Sequence, residues 1–165
     1  MNKRSFFILG ITLLSLVITS CSKSGNTNNN CVSNNTGVPT AAEISSLQAY
    51  LTAHSITATQ DPGGFFYIII AAGTGASPTL SSAVTVKYSG TLESGSEFDH
   101  NANPNGNTFP LSQLILGWQK GLPLIKKGGS IKLFLPPSLG YGCSQAGSIP
   151  PGSNLIFTID LVDVQ

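Results

Sequence analysis

Val84-Thr85-Val86-Lys87-Tyr88-Ser89-Gly90 alternates apolar and polar side chains up to a closing glycine. A period of two sets Val84, Val86 and Tyr88 on the core face of a strand and Thr85, Lys87 and Ser89 on the other. The pattern returns at Ile131, Leu133 and Leu135. It returns again at Leu155, Phe157, Ile159 and Leu161, with Thr158 and Asp160 facing outward. Upstream, Phe65 to Ala71 is dense in aromatic and β-branched residues, which suit a pleated surface. Turn chemistry brackets it, with Asp61-Pro62-Gly63-Gly64 before and Gly73 to Pro78 after. Leu114 to Ile125 places Gln119 and Lys120 among apolar residues and reads as one short amphipathic helix. Several antiparallel strands and one short helix predict an α+β domain in which the sheet wraps the helix.

Outside that region, Thr40-Ala41-Ala42-Glu43 reads as a capping box. Ile44, Leu47 and Leu51 then recur at helical spacing to about His54, which predicts an extra N-terminal helix. Packing against one end of the sheet is its plain role; a partner or dimerisation surface is the sharper one. Two long loops remain, His100 to Thr108 and Pro136 to Ser153. The first is rich in Asn, Pro and Gly, and the second carries four prolines and four glycines. Long loops in a compact domain are usually functional.

The chain starts with Lys3 and Arg4 followed by an apolar run, Phe6 to Ile18. That run falls short of the ~20 residues a spanning helix needs, and it fits a signal-peptide core. It ends in Ile18-Thr19-Ser20-Cys21, which resembles a bacterial lipobox, with Cys21 as the lipid attachment point. Ser22 to Gly37 is dominated by Ser, Thr, Asn and Gly and reads as a flexible tether. Ser22 is not the acidic residue that resembles an inner-membrane retention signal. The expected place is the cell envelope, on the outer membrane and facing the periplasm.

Cleavage before Cys21 leaves six lysines against seven carboxylates. Nucleic-acid binding rests on cations that neutralise phosphates, so this balance excludes it. Charged residues form 9% of the chain, against a usual ~25%. Lipidation of Cys21 leaves Cys31 and Cys143, which an oxidising compartment would join as a disulfide.

Few residues suggest covalent or metal chemistry. Gly73-Thr74-Gly75 is half a dinucleotide fingerprint, but Pro78 follows and no helix starts there. His54 and His100 have no third ligand at metal spacing. Ser138 and Ser144 lack a nucleophile elbow. No metal and no cofactor is expected. What stands out is an ordered set in the second half: Tyr88-Ser89-Gly90, Gly95, Phe98-Asp99, Phe109, Leu114-Ile115, Gly117-Trp118, Tyr141-Gly142, Ile149-Pro150-Pro151 and Leu155-Ile156-Phe157. Periodicity alone allows these aromatics to be core. A concave site so lined, with one carboxylate, suits an apolar uncharged ligand.

In order and spacing the set resembles the FKBP-type peptidyl-prolyl cis-trans isomerases, over roughly residues 64–164. The resemblance implies an FKBP-like antiparallel sheet wrapped around a short helix, and catalysis at a proline pocket. By it, Trp118 forms the floor, and Phe98, Leu114, Ile115 and Phe157 form the walls, with Ile149 completing the lining. The N–H of Ile115 and the hydroxyl of Tyr141 would hydrogen-bond substrate carbonyls, and Asp99 would accept the Tyr88 hydroxyl. Proline-containing polypeptides are the implied substrates, and a macrolide the implied inhibitor. The sequence departs from the family pattern at Asn101–Thr108, small and polar here, and at the short tip Cys143–Ser148. The organisation expected is thus a lipoprotein signal (1–20), a tether (21–37), a helical extension (38–63) and an isomerase domain (64–165). A membrane-anchored proline-binding or chaperone module without turnover is the alternative.

Overall fold

The computed structural model describes residues 37–101 and 103–165. The segments expected to be signal and tether, with Cys21 and Cys31, lie outside the described residues except for Gly37. The elements are α1 (Ala41–Ala53), β1 (Thr59–Gln60), β2 (Phe66–Ala71), β3 (Ala83–Leu92), β4 (Glu97–His100), β5 (Asn107–Pro110), α2 (Leu116–Gly121), β6 (Ser130–Leu135) and β7 (Leu155–Val164). All strand pairings are antiparallel, in the order β1-β2-β6-β7-β3-β4. β5 also pairs with β3, so one edge of that long strand is covered by β4 along one half and by β5 along the other.

The inner face of the sheet closes on α2. Val84, Val86, Ile131, Leu133, Leu135, Leu155, Phe157, Ile159 and Leu161 form one core with Trp118 and Leu122. These are the positions that alternation assigns inward. The outer face carries a second, smaller core, in which Leu47 and Leu51 of α1 meet Phe66, Phe134 and Ile156. The helix start is held by a reciprocal capping box, in which Thr40 accepts from the Glu43 N–H and Glu43 from the Thr40 N–H. The consecutive Phe65 and Phe66 are both buried because they point into opposite cores.

The segment Leu114 to Ile125 departs from a single continuous helix. Only Leu116–Gly121 is α-helical, followed by a 3-10 turn at Leu122–Leu124. Pro123 lacks the amide that would continue the helix, and that shortens it. Gly117 and Gly121 face the sheet. A Cβ on Gly121 would lie 2.7 Å from the Leu133 side chain, so both glycines let α2 approach closely. The polar loop after His100 is also more ordered than its composition suggests. Asn103 and Asn105 N–H groups bond the side-chain oxygens of Asn101 and Asn103, and β5 starts already at Asn107.

Candidate active site

A concave pocket of about 200 Å³ opens between the sheet and α2, lined by Tyr88, Asp99, Phe109, Leu114, Ile115, Trp118, Tyr141 and Phe157. A wider, shallow groove of about 620 Å³ runs along α1. It is lined by short polar and aliphatic side chains with no aromatic or titratable group, so it offers no chemistry.

Each side chain of the smaller pocket is placed by its element. Tyr88 projects inward from β3, and Phe157 from β7. Gly90 pairs with Phe157 and Asp99, and a Cβ there would lie 2.7 Å from Phe98 and 2.8 Å from Phe157. That glycine gives two rings room to pack. Trp118 is buried, edge-on to Tyr88 at 5.1 Å and to Phe157 at 5.2 Å between centroids. Such T-shaped pairs add about 0.5–1.5 kcal/mol each beyond area burial. The indole N–H is buried with no acceptor among the described residues, a cost of about 1–3 kcal/mol borne at this position.

Leu114 and Ile115 join a 3-10 turn (Leu111–Gln113) to α2. Their path is held by Gln119, whose amide donates to the carbonyls of Leu114 at 2.7 Å and Ser112 at 3.2 Å. Ile115 caps α2, a position where main-chain N–H groups have no partner within the helix. Tyr141 follows a 3-10 turn at Pro137–Leu139. On either side of it, Gly140 and Gly142 donate to the Pro137 carbonyl at 2.9 and 2.8 Å. Gly142 has a positive φ of 60°, which suits glycine. Tyr141 itself is 41% exposed at the rim.

The Tyr88 hydroxyl donates to Asp99 Oδ2 at 2.8 Å. Burial, then the Asp99 hydrogen bond and charge, then Tyr141, push the Tyr88 hydroxyl up to about 12. Burial, then the Asp99 charge, also raise Tyr141. Between pH 10 and about 12 the folded chain therefore keeps the Tyr88 proton that the unfolded chain has lost. Stability falls as pH rises through that window. Tyr88→Phe is expected to flatten this fall, measured as urea midpoints across the window, and to remove the last tyrosinate step from an absorbance titration. An unchanged titration would contradict the assignment.

The structure thus brings Tyr88, Asp99, Leu114, Ile115, Trp118, Tyr141 and Phe157 around one cavity. It places Phe98 behind the lining, edge-on to Phe157 at 5.4 Å. Ile149 is buried in the core and does not line the cavity. Phe109 does line it, although no role is assigned to it from sequence. Its signal is weak, one aromatic in the four-residue β5, opposite Val84. Cys143 is two residues beyond Tyr141, and Cys31 lies outside the described residues.

Comparison with known proteins identifies the same region. A family model described as FKBP-type peptidyl-prolyl cis-trans isomerase matches residues 75–162, more than half of the chain. The FKBP-type peptidyl-prolyl cis-trans isomerase FkpA of Escherichia coli K12 is 46% identical over 104 residues, which cover 62% of this chain and 38% of that protein. The crystal structure of Escherichia coli FkpA is similar with a TM-score of 0.68 and 38% identity, covering 76% of this chain and 60% of that one. A peptidyl-prolyl cis-trans isomerase from Pseudomonas syringae pv. tomato gives a TM-score of 0.66 at 27% identity, over 78% and 97% of the two chains. The chain therefore spans well under half the length of the FkpA sequence.

Proposed function

The chain belongs to the FKBP-type peptidyl-prolyl cis-trans isomerase family, and from that premise we propose that it catalyses cis-trans isomerisation of X-Pro bonds in exported polypeptides. The observation that carries the reading is the Trp118-floored pocket, walled by Leu114, Ile115 and Phe157 and rimmed by Tyr88, Asp99 and Tyr141.

The reaction needs no nucleophile. Rotation about an X-Pro bond meets a barrier of about 18–20 kcal/mol, because amide resonance is lost at the twisted midpoint. Unaided, it takes about tens to hundreds of seconds. The planar amide is the more charge-separated form, so an apolar pocket favours the twisted one and binds it better than the ground state. A ten-thousandfold acceleration needs only about 5.4 kcal/mol at 1.36 per decade. In this reading the prolyl ring rests on Trp118, the Ile115 N–H and the Tyr141 hydroxyl hold the flanking carbonyls, and Asp99 orients Tyr88. Trp118 is the only indole in the chain. Its fluorescence should shift on titration with short prolyl peptides carrying an apolar residue before proline, and with a macrolide. An unshifted spectrum at high ligand concentration would sink the pocket.

The domain is proposed to act at the cell envelope, with residues 1–20 as signal, Cys21 lipidated and residues 21–37 as tether to the outer membrane, on its periplasmic side. Residues 38–63 are the helical extension and 64–165 the isomerase unit. Among the described residues no helix is long and apolar enough to cross a membrane. Cys21→Ser should abolish detergent partitioning; unchanged partitioning and mass would refute the lipobox. We also propose a Cys31–Cys143 bridge that pins the tether beside the Tyr141 loop. In support, Cys143 is not a free thiol. The reading without turnover remains a membrane-anchored proline-binding module, which the same pocket would serve.

A further inference from the structure

The first turn of α1 reaches the loop that carries Tyr141. Glu43 closes the capping box, and its carboxylate also bonds a residue 95 positions away in sequence. Its Oε1 accepts from the main-chain N–H of Ser138 at 2.9 Å, and its Oε2 from the Ser138 hydroxyl at 3.3 Å. The same Oε2 accepts from the Thr40 N–H at 2.7 Å and the Thr40 hydroxyl at 3.0 Å. Donors on both oxygens hold a carboxylate in one orientation, and bonds to an ionised acceptor are the strong ones.

Ser138 follows Pro137, whose carbonyl accepts from both neighbours of Tyr141, Gly140 and Gly142. A continuous hydrogen-bonded path therefore runs from Glu43 through Ser138 to the turn that aims the Tyr141 hydroxyl. The chain just before α1 lies against the other side of the site. A Cβ on Gly37 would come within 2.6 Å of the Leu116 side chain, next to Ile115. Pro39 packs on Gly64, where a Cβ would lie 2.8 Å from the proline ring. Residues 37–43 thus touch both elements that supply hydrogen-bonding groups to the pocket. Leu47 and Leu51, with the half-buried Ile44 and Tyr50, pack α1 on the outer face of the sheet; the bonds from Glu43 to Ser138 add a tie to the Tyr141 loop.

We propose that Glu43 is a positioning residue for the pocket: through Ser138 it sets the Tyr141 loop, and residues 37–43 act as a strap between the two rims of the site. The inference rests on the isomerase reading of that site. It assigns the N-terminal extension a part in turnover as well as in packing.

The test compares Glu43→Ala, Glu43→Gln and Leu51→Ala in the full chain, by peptide isomerisation and by amide hydrogen exchange. Leu51 is eight residues along α1, about 12 Å from Glu43, and its loss weakens the outer core without touching Ser138. Glu43→Ala should lower kcat/KM about five- to tenfold, the effect of one weakened hydrogen bond to substrate. It should also speed exchange at Ser138 and Gly142 more than at β6 amides. Glu43→Gln, which keeps an acceptor for the Ser138 N–H, should recover most of both effects, and Leu51→Ala should stay within twofold of wild type in kcat/KM. A Glu43→Ala enzyme within twofold of wild type, or an equal loss in Leu51→Ala, would overturn the proposal. If the wild type itself shows no turnover, the isomerase reading fails. The positioning role then stands or falls on exchange alone, and equal exchange at Ser138 and Gly142 in Glu43→Ala and Leu51→Ala would reject it.

Discussion

Trp118→Ala is expected to lower kcat/KM on a short prolyl peptide by about 50-fold or more. Removing the indole takes away the apolar floor under the prolyl ring. Burial of one such side chain is worth about 1.5–3 kcal/mol, and each 1.36 kcal/mol is about one decade in rate. The same change opens a cavity between Tyr88 and Phe157, which sit edge-on to the indole. Stability should therefore fall too, by about 3–5 kcal/mol for a large aromatic truncated in a core. Tyr141→Phe separates the two effects. Its hydroxyl is at an exposed rim, so stability should hardly move, while losing one hydrogen bond to substrate lowers kcat/KM about tenfold. A steady-state assay beside urea unfolding on both variants decides the matter. Full activity in a folded Trp118→Ala protein would remove the indole from the site.

Leu47→Ala carries the second large effect, on stability. Leu47 is fully buried between α1 and the outer face of the sheet, against Phe66, Phe134 and Ile156. Truncating a buried leucine costs about 2–5 kcal/mol, with the upper values where the site cannot collapse. The outer core is small and its aromatic partners sit on strands fixed by the ladder, so a loss near 3 kcal/mol is expected within that range. The urea midpoint should shift in one cooperative transition with the slope unchanged. An early separate transition, or no shift at all, would mean that α1 is a detachable appendage.

The coverage by α1 is legible in the strands themselves. β7 is buried without interruption at Leu155-Ile156-Phe157, and alternates only from Thr158 onward. Phe65-Phe66 and Phe134-Leu135 form similar unbroken apolar pairs. A strand covered on both faces needs apolar residues at successive positions, so those runs mark the part of the sheet lying under the helix. The long strands and the inner core follow from period-two patterning alone. β4 and β5 are hidden because each is only four residues long with a single aromatic, β4 being otherwise polar and β5 ending in a proline. Their pairing is specified by the β3 edge and by the Asn turns between them rather than by their own hydrophobicity. The shortened α2 could be anticipated from Pro123; its close approach through Gly117 and Gly121 depends on Leu133 and Leu135, which only the fold brings opposite.

The candidate site divides along the same line. Trp118, Tyr88, Asp99 and Tyr141 are recognisable by residue type and order. Phe109 belongs to the same ordered set, but its place in the lining, like the tie from Glu43 to Ser138, arises from contacts between segments distant in sequence. Gln119, which holds Leu114, reads in sequence only as a polar residue on a helix face.

Turnover at the X-Pro bond is what separates an isomerase from a proline-binding module, and magnetisation exchange on a proline peptide measures it without a coupling protease. With a catalytic amount of the wild-type protein, the cis and trans signals of the X-Pro bond should exchange orders of magnitude faster than the uncatalysed tens to hundreds of seconds. Tyr141→Phe should slow that exchange and Trp118→Ala should nearly abolish it. Exchange left at the uncatalysed rate, alongside peptide-induced shifts in Trp118 fluorescence, would contradict the isomerase and leave a proline-binding module in its place.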